Sequence, residues 1–369
     1  MRGARGRRIK THPRPTNRSR LRPISAMHEL LNVLYVQSQG AVLHVEHDTV
    51  RVELEHETVL RAPLLRLSGI VVFGQVTVTP FLIQRCAEDG RSLVWLDRHG
   101  RFKARVEGPT RGNVLLRRAQ HLALSEPDRP WRIARQITAA KIQNSRQVLL
   151  RASREATSSD DSRALSEAAE HLADALGRLR DAKDLDVVRG SEGEAARTYF
   201  DVFDHMVKVD SASFTLDGRT RRPPRDRANA VLSFLYALLQ AECASALEGV
   251  GLDPQVGYLH ALRPGRPALA LDLMEELRPV LADRLAITLV NRRQLTAEQF
   301  DATPGGAVLL NEEGRRTVLA AYQHRKEEEI EHRVLNQKVP FGLIPHVQAR
   351  LLARHLRGDL AEYQPFLYR

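Results

Sequence analysis

Two cysteines in 369 residues, Cys86 and Cys243, far apart and outside any C-x-x-C, exclude a disulfide framework and a cysteine-built zinc site. They fit a reduced, cytoplasmic home. No uninterrupted apolar run approaches the roughly 20 residues of a membrane span. The longest, at 67–73 and 286–290, are strand-sized or pieces of a helix core. Internal repeats are lacking too. Residues 1–26 contain no acid but nine bases (Arg2, Arg5, Arg7, Arg8, Lys10, Arg14, Arg18, Arg20 and Arg22), so the formal charge of +11 leaves a body of only +2. Global basicity is therefore weak evidence for a nucleic-acid partner. This Pro- and Arg-rich segment has no apolar stretch of a secretory signal. It reads as a disordered DNA-binding arm or as sequence that is not translated because Met27 is the natural start; we favour the second reading.

With 43% hydrophobic and 27% charged residues, the remainder has the composition of a globular protein with room for two cores. Residues 31–106 run in short, β-branched, alternating segments, which predict a small mostly-β domain over 27–107. Its histidines, His44, His47, His56 and His99, are scattered and read as solvated. The Gly-Pro-Thr-Arg-Gly stretch at 108–112 punctuates like a linker. After it the period becomes 3.6, which predicts a larger all-helical catalytic domain over 113–369. The fold class expected is α+β. Helices are predicted over 113–124, 131–155, 164–188, 229–247, 269–290, 315–332 and 347–357, with a short strand at 307–310. Over 131–155, Ile133, Ile137, Ile142, Val148, Leu149 and Leu150 form the core stripe, while Lys141 and the arginines are placed on a charged outer face. A basic loop, 210–227, precedes an apolar helix with Asn229 at its buried start. The tail at 363–369 mixes aromatics with Pro365 and is expected to dock on something.

Two stretches carry chemistry. In the first, residues 190–200, Ala195, Ala196 and Tyr199 recur at helical spacing and Glu192 heads their face. Ser191 and Glu194 have capping-box spacing, which gives Glu194 a structural job and leaves Glu192 without one. Such a carboxylate shifts its pKa, pairs with a cation or metal, or points at water from a frayed first turn. The second stretch holds Gly257-Tyr258-Leu259-His260, the turn Pro264-Gly265-Arg266-Pro267, and Asp272, Glu275 and Glu276 on one helix. At about 100° per residue, Asp272 and Glu275 lie about 60° apart and Glu275 and Glu276 about 100° apart, so the three crowd unless a cation is present. Two carboxylates and an imidazole make a hard, oxygen-rich site suited to Mg²⁺ or Mn²⁺. A structural histidine with solvated acids remains the alternative.

These motifs, G-x-E-G-x-A-A-R-x-Y-F, G-x-L-H, P-G-R-P and L-D-L-M-E-E-x-R-P, resemble those of the CRISPR-associated spacer integrase family, Cas protein number one. The resemblance runs from about Met27 to Arg369, and the tail from Pro340 looks like the subtype I-C branch. It implies a β-rich domain that dimerises and a helical domain that holds Mg²⁺ or Mn²⁺ on Glu192, His260 and Glu275, where some relatives place Asp at the third position. It implies an endonuclease and strand transferase that inserts spacer DNA into a CRISPR array. Asp272 and Asn229 are expected behind the ligands. Arg197, Arg221, Arg222, Arg225, Arg263, Arg266, Arg292 and Arg293 are expected on the DNA backbone. The implied partners are double-stranded DNA, a second copy of the chain, a Cas-number-two dimer and a Cas-number-four nuclease, with no membrane. A metal-dependent repair nuclease and a non-catalytic DNA-binding scaffold are the rival readings.

Overall fold

The computed structural model describes residues 32–98, 102–106, 108, 114–208, 213–216, 218–220 and 223–368. The basic segment 1–26, most of the expected linker at 108–112, His99, Arg221 and Arg222 lie outside the described residues. The alternating N-terminal segments form strands β1 (Asn32–Val36), β2 (Val42–Glu46), β3 (Thr49–Leu54), β4 (Glu57–Pro63), β5 (Leu67–Phe73), β6 (Thr77–Val78), β7 (Ser92–Leu96) and β8 (Phe102–Val106). Helix α1 (Pro80–Asp89) opens with proline, whose missing N–H costs nothing at a first turn. One sheet runs β4-β3-β2-β6 and the other β1-β5-β7-β8. Two-residue loops at His47-Asp48 and Glu55-His56 join β2 to β3 and β3 to β4, all four residues having positive φ, as tight hairpins matched to strand twist require. His47 and His56 are thus exposed turn residues.

The period-2 alternation of β5 and β7 decides how the two parts of the chain meet. Ile70, Val72 and Leu93 point into the core with Leu43, Val50 and Leu82. Val71, Phe73, Val94 and Leu96 point the other way and join the core of the helices. Phe73 stacks on Phe234 there, ring centroids 6.3 Å apart, and is 1% exposed. Phe73→Ala is therefore expected to cost about 3–5 kcal/mol in urea denaturation, in the range for a buried Phe truncation. A loss under about 1 kcal/mol would mean that this contact carries little.

The C-terminal part is mostly helical: α2 (Val114–Ser125), α3 (Arg129–Glu155), α4 (Ser159–Arg180), α5 (Leu185–Asp201), α6 (Arg227–Gly249), α7 (Ala268–Glu275), α8 (Arg284–Asn291), α9 (Glu312–Glu327) and α10 (Ile344–Leu356). It is not all-helical. Strands β9 (Phe300–Ala302) and β10 (Val308–Leu310) pair antiparallel, as do β11 (Glu329–His332) and β12 (Gln337–Pro340). The expected helix over 315–332 therefore stops at Glu327, and only the 307–310 strand was visible in the pattern. Helix α6 is apolar and long enough to cross a membrane by length and composition, yet its residues from Ala228 to Leu247 are largely buried among the other helices.

Two predicted helices are each divided. The 164–188 segment breaks after Arg180, and α5 restarts behind Asp184, whose side chain accepts from the N–H groups of Asp186 and Val187. The capping box expected at Ser191 is absent. Ser191 lies inside α5, its hydroxyl donating to the Val187 carbonyl, and Glu194 pairs with Arg178 at 2.7 Å. The S-x-x-E spacing recurs by chance within helices, whereas Asp184 follows a chain break that periodicity alone does not show. The 269–290 segment becomes α7, a π-helical turn Arg278–Asp283 and then α8. Pro279 lacks the N–H a regular helix would use, and the wider turn absorbs the defect.

Candidate active site

Three elements bring Glu192, His260 and Glu275 together. Helix α5 packs on α3 through buried Ala195 and Tyr199, which leaves Glu192, 27% exposed at its side chain, at the rim. His260 sits in a turn. That turn is built on the Asp272 carboxylate: Oδ2 accepts from the N–H groups of Tyr258 (2.6 Å) and Leu259 (3.0 Å), and Oδ1 from the N–H of His260 (2.9 Å) and its ring Nδ1 (2.7 Å). A Cβ on Gly257 would lie 2.8 Å from Asp272 Oδ2 and 2.6 Å from the Ala268 backbone, so only glycine permits this approach. Because a carboxylate accepts and does not donate, Asp272 makes Nδ1 the protonated nitrogen and turns the Nε2 lone pair outward. Nε2 lies 3.7 Å from Glu275 Oε1.

Glu275, the last residue of α7, is 1% exposed. Burial alone would raise its pKa, but Arg278, Lys141 and His260 beside it pull it down to about 2. Arg278 Nη1 contacts Oε1 at 2.7 Å and Lys141 Nζ contacts Oε2 at 2.7 Å. Lys141 also pairs with Glu192 Oε1. The ammonium thus stands between the two carboxylates. Among the described residues no three acidic, imidazole or thiol groups converge tightly enough to hold an ion as they stand. Glu275 Oε2 is buried with no hydrogen bond of good geometry, only ion-pair contact, and with Glu192 and the His260 lone pair it makes a donor set of two hard oxygens and one nitrogen. Such a set fits Mg²⁺ or Mn²⁺.

Glu276 faces away from this cluster. Its carboxylate, fully buried, accepts from the Phe366 N–H (2.6 Å), Gln348 Nε2 (2.9 Å) and the Tyr363 hydroxyl. Burial raises its pKa to about 7 against these three bonds. The tail thus docks on the chain itself. Asn229, expected behind the ligands, is not beside them: it donates to the Gly218 carbonyl (2.8 Å) and accepts from the Thr220 N–H (3.1 Å) and from Arg219. It organises the basic loop, which reaches the site indirectly, since Arg219 and Arg278 both stack on Tyr236 at 5.1 and 4.8 Å.

Of the arginines, Arg263 is exposed and Arg266 half-buried on the loop that follows His260. Arg197 is exposed on α5, turned about 140° from Glu192. Arg225 is exposed just before α6. Arg292 and Arg293 are exposed beyond α8, where Asn291 binds the Met206 carbonyl and the Lys208 N–H, apart from the His260 turn.

Lys141, Arg278, Asn144 and the Tyr236–Asp283 pair, bonded at 2.7 Å, were not singled out by sequence reasoning. Burial raises the Asp283 pKa to about 6 against the Tyr236 hydrogen bond and the cations Arg219, Arg278 and Lys141. Lys141 had been placed on a charged outer face of α3. It lies instead four residues after Ile137 and eight after Ile133, on the apolar stripe itself, and that spacing was the available signal.

Comparison with known proteins agrees with this architecture. The family model for CRISPR associated protein Cas1 matches residues 34–324. A CRISPR-associated endonuclease Cas1 of Moorella thermoacetica is 58% identical over 93% of this chain and 100% of its own length. One from Rhodospirillum rubrum is 49% identical over 93% of this chain and 100% of its own. Among solved structures, a CAS1 protein from Thermotoga maritima superposes with a TM-score of 0.75 at 25% identity, covering 92% of this chain and 99% of that one. A casposase bound to integration product superposes with a TM-score of 0.76 at 22% identity, covering 90% and 92%. Matched over most of its length by the family model and by these relatives, the chain belongs to the Cas1 family of CRISPR-associated endonucleases.

Proposed function

We propose that the protein is the metal-dependent integrase of CRISPR adaptation, joining the 3′-hydroxyls of a spacer fragment to the array by transesterification, with endonuclease cleavage as the same chemistry run with water. The observation that carries this reading is that Glu192 and Glu275 share one cation while His260 Nε2 lies 3.7 Å from Glu275 Oε1, with Asp272 locking the imidazole. Those three residues would hold Mg²⁺ or Mn²⁺, which supplies charge neutralisation at the scissile phosphate and its leaving oxygen. Asp272 fixes the tautomer of His260, Arg278 holds Glu275 in place, and Arg263 and Arg266 next to the turn suit the DNA backbone, with Arg197, Arg225, Arg292 and Arg293 extending the basic surface. Arg221 and Arg222 are assigned to the same surface from the sequence.

We assign a second copy of the chain as a partner through the β-rich part, where Val59, Leu60, Leu65 and Phe81 are 44–76% exposed. A Cas2 dimer is the assigned bridging partner, as suits the fold likeness to the chain of a Cas6-RT-Cas1–Cas2 complex. A Cas4 nuclease is a further partner, in keeping with relatives that are Cas4/Cas1 fusions. We place the protein in the cytoplasm and in the subtype I-C branch. Incubating it with Cas2, a fragment with 3′-hydroxyl ends and a leader–repeat plasmid should give joined product with Mg²⁺ or Mn²⁺ and none with chelator. Joining that persists in chelator would overturn metal dependence. Cleavage without any joining would favour the repair-nuclease reading.

A further inference from the structure

We infer that Lys141 is a built-in counter-cation that occupies the divalent-ion position until metal displaces it, making it a positioning residue that sets the metal affinity of the site. The inference rests on the metal reading above.

Lys141 reaches the site from inside the fold. It is 9% exposed, on the apolar stripe of α3 between Ile137 and Asn144. Its ammonium contacts carboxylate oxygens from two different elements, Glu192 Oε1 on α5 and Glu275 Oε2 on α7. A cation that bridges two acids of a donor set sits where a metal ion would have to sit to bridge them. The other cation at Glu275 is different, because Arg278 takes the opposite oxygen, Oε1, at 2.7 Å and is anchored over Tyr236. It can stay while the bridging position changes hands.

Electrostatics give the exchange its direction. Without Lys141, Glu192 and Glu275 would face each other with only Arg278, on the other oxygen of Glu275, to offset their repulsion. With metal present, Lys141 would itself be a like charge beside a dication. It therefore stabilises the metal-free site and opposes the loaded one, so metal binding must first displace it. If the lysine-occupied arrangement holds 90–99% of the metal-free molecules, apparent affinity is lowered about 10- to 100-fold. The flexible four-carbon stem of lysine suits a group that must swing out.

The test is Mn²⁺ binding to the full-length protein by titration calorimetry, without DNA, on wild type, Lys141→Gln and Lys141→Arg. Lys141→Gln is expected to bind Mn²⁺ about tenfold or more tightly, and to melt below wild type without metal but close to it at saturating Mn²⁺. Lys141→Arg, which keeps the charge, is expected to stay within a few-fold of wild type. Unchanged or weaker binding by Lys141→Gln would overturn the inference, since it would mean that the lysine merely organises the carboxylates. The metal reading fails separately: Mn²⁺ binding that survives Glu192→Gln and His260→Ala in the wild-type background would place the ion elsewhere. Should Lys141→Gln be too unstable for calorimetry, the Lys141→Met melting difference with and without Mn²⁺ decides the point in the same way.

Discussion

Glu275→Gln is expected to lower strand transfer at saturating Mn²⁺ by about 10³-fold or more, the scale for removing a group that organises charge at the reacting centre. Asp272→Asn should act differently, because Asp272 has no free lone pair aimed at the site. Both of its oxygens are spent on four donors at Tyr258, Leu259 and His260. An amide there would set its NH₂ against two of those donors, at a cost of about 3 kcal/mol for the groups left unpaired. The expected signature is a lowered melting temperature together with a 10- to 100-fold rate loss from the unanchored imidazole. Glu276→Gln should leave the rate within about threefold of wild type, since its three partners lie on the far side of the helix and can rearrange around an amide. Integration rates and thermal melts on the three variants decide the assignment. If Asp272→Asn is dead at wild-type stability while Glu275→Gln is only slow, the two acids have been given each other's roles.

The strands were legible because alternating Val, Ile and Thr segments bounded by turns have one stable reading. Of the two C-terminal ribbons only the 307–310 strand was, because strands of three and four residues such as 329–332, with two acids and a histidine, carry no alternation to detect. Helix existence was equally plain, and helix ends were less so. The break between Arg180 and Leu185 turns on a single cap at Asp184, and the π-helical turn on Pro279 within an otherwise apolar run. Tertiary packing fixes both more than local propensity does.

For the site, the acids and the imidazole stood out as polar residues in apolar surroundings, and the family resemblance named the same three. What supports them was hidden for different reasons. Arg278 meets Glu275 at the ordinary i,i+3 spacing of a helix surface pair, so its spacing does not set it apart. Lys141 sat on the buried stripe of α3 but was read by residue type rather than by position, and Asn144, on the same stripe, drew no reading. Asn229 shows the opposite error: its burial was anticipated, but its partners lie 9–11 residues away across the basic loop or three residues back at Asp226, and sequence spacing does not reveal them.

The C-terminal tail bears the second large effect: removing residues 363–369 is expected to prevent accumulation of a stable fold. Tyr363 and Phe366 are each 1% exposed, and truncating one buried aromatic alone costs about 3–5 kcal/mol. The deletion also strips Glu276 of the Phe366 N–H and the Tyr363 hydroxyl, leaving a buried carboxylate with Gln348. The combined loss rivals the roughly 5–15 kcal/mol of a typical domain. Asn144 transmits the damage toward the active site, because its Nδ2 binds the Glu276 carbonyl (2.7 Å) and the Phe366 carbonyl (3.0 Å) at once, and Glu276 follows Glu275 in the chain. A milder change separates the terms. Tyr363→Phe deletes only the hydroxyl and should cost about 1–3 kcal/mol for the weakened satisfaction of the carboxylate. If charge burial is the main penalty, adding Glu276→Leu to the truncated chain should recover part of the melting temperature, since an apolar side chain needs none of the lost donors. A chain shortened after Glu362 that melts and integrates like wild type would show that the tail only covers the helices and does not position Glu275.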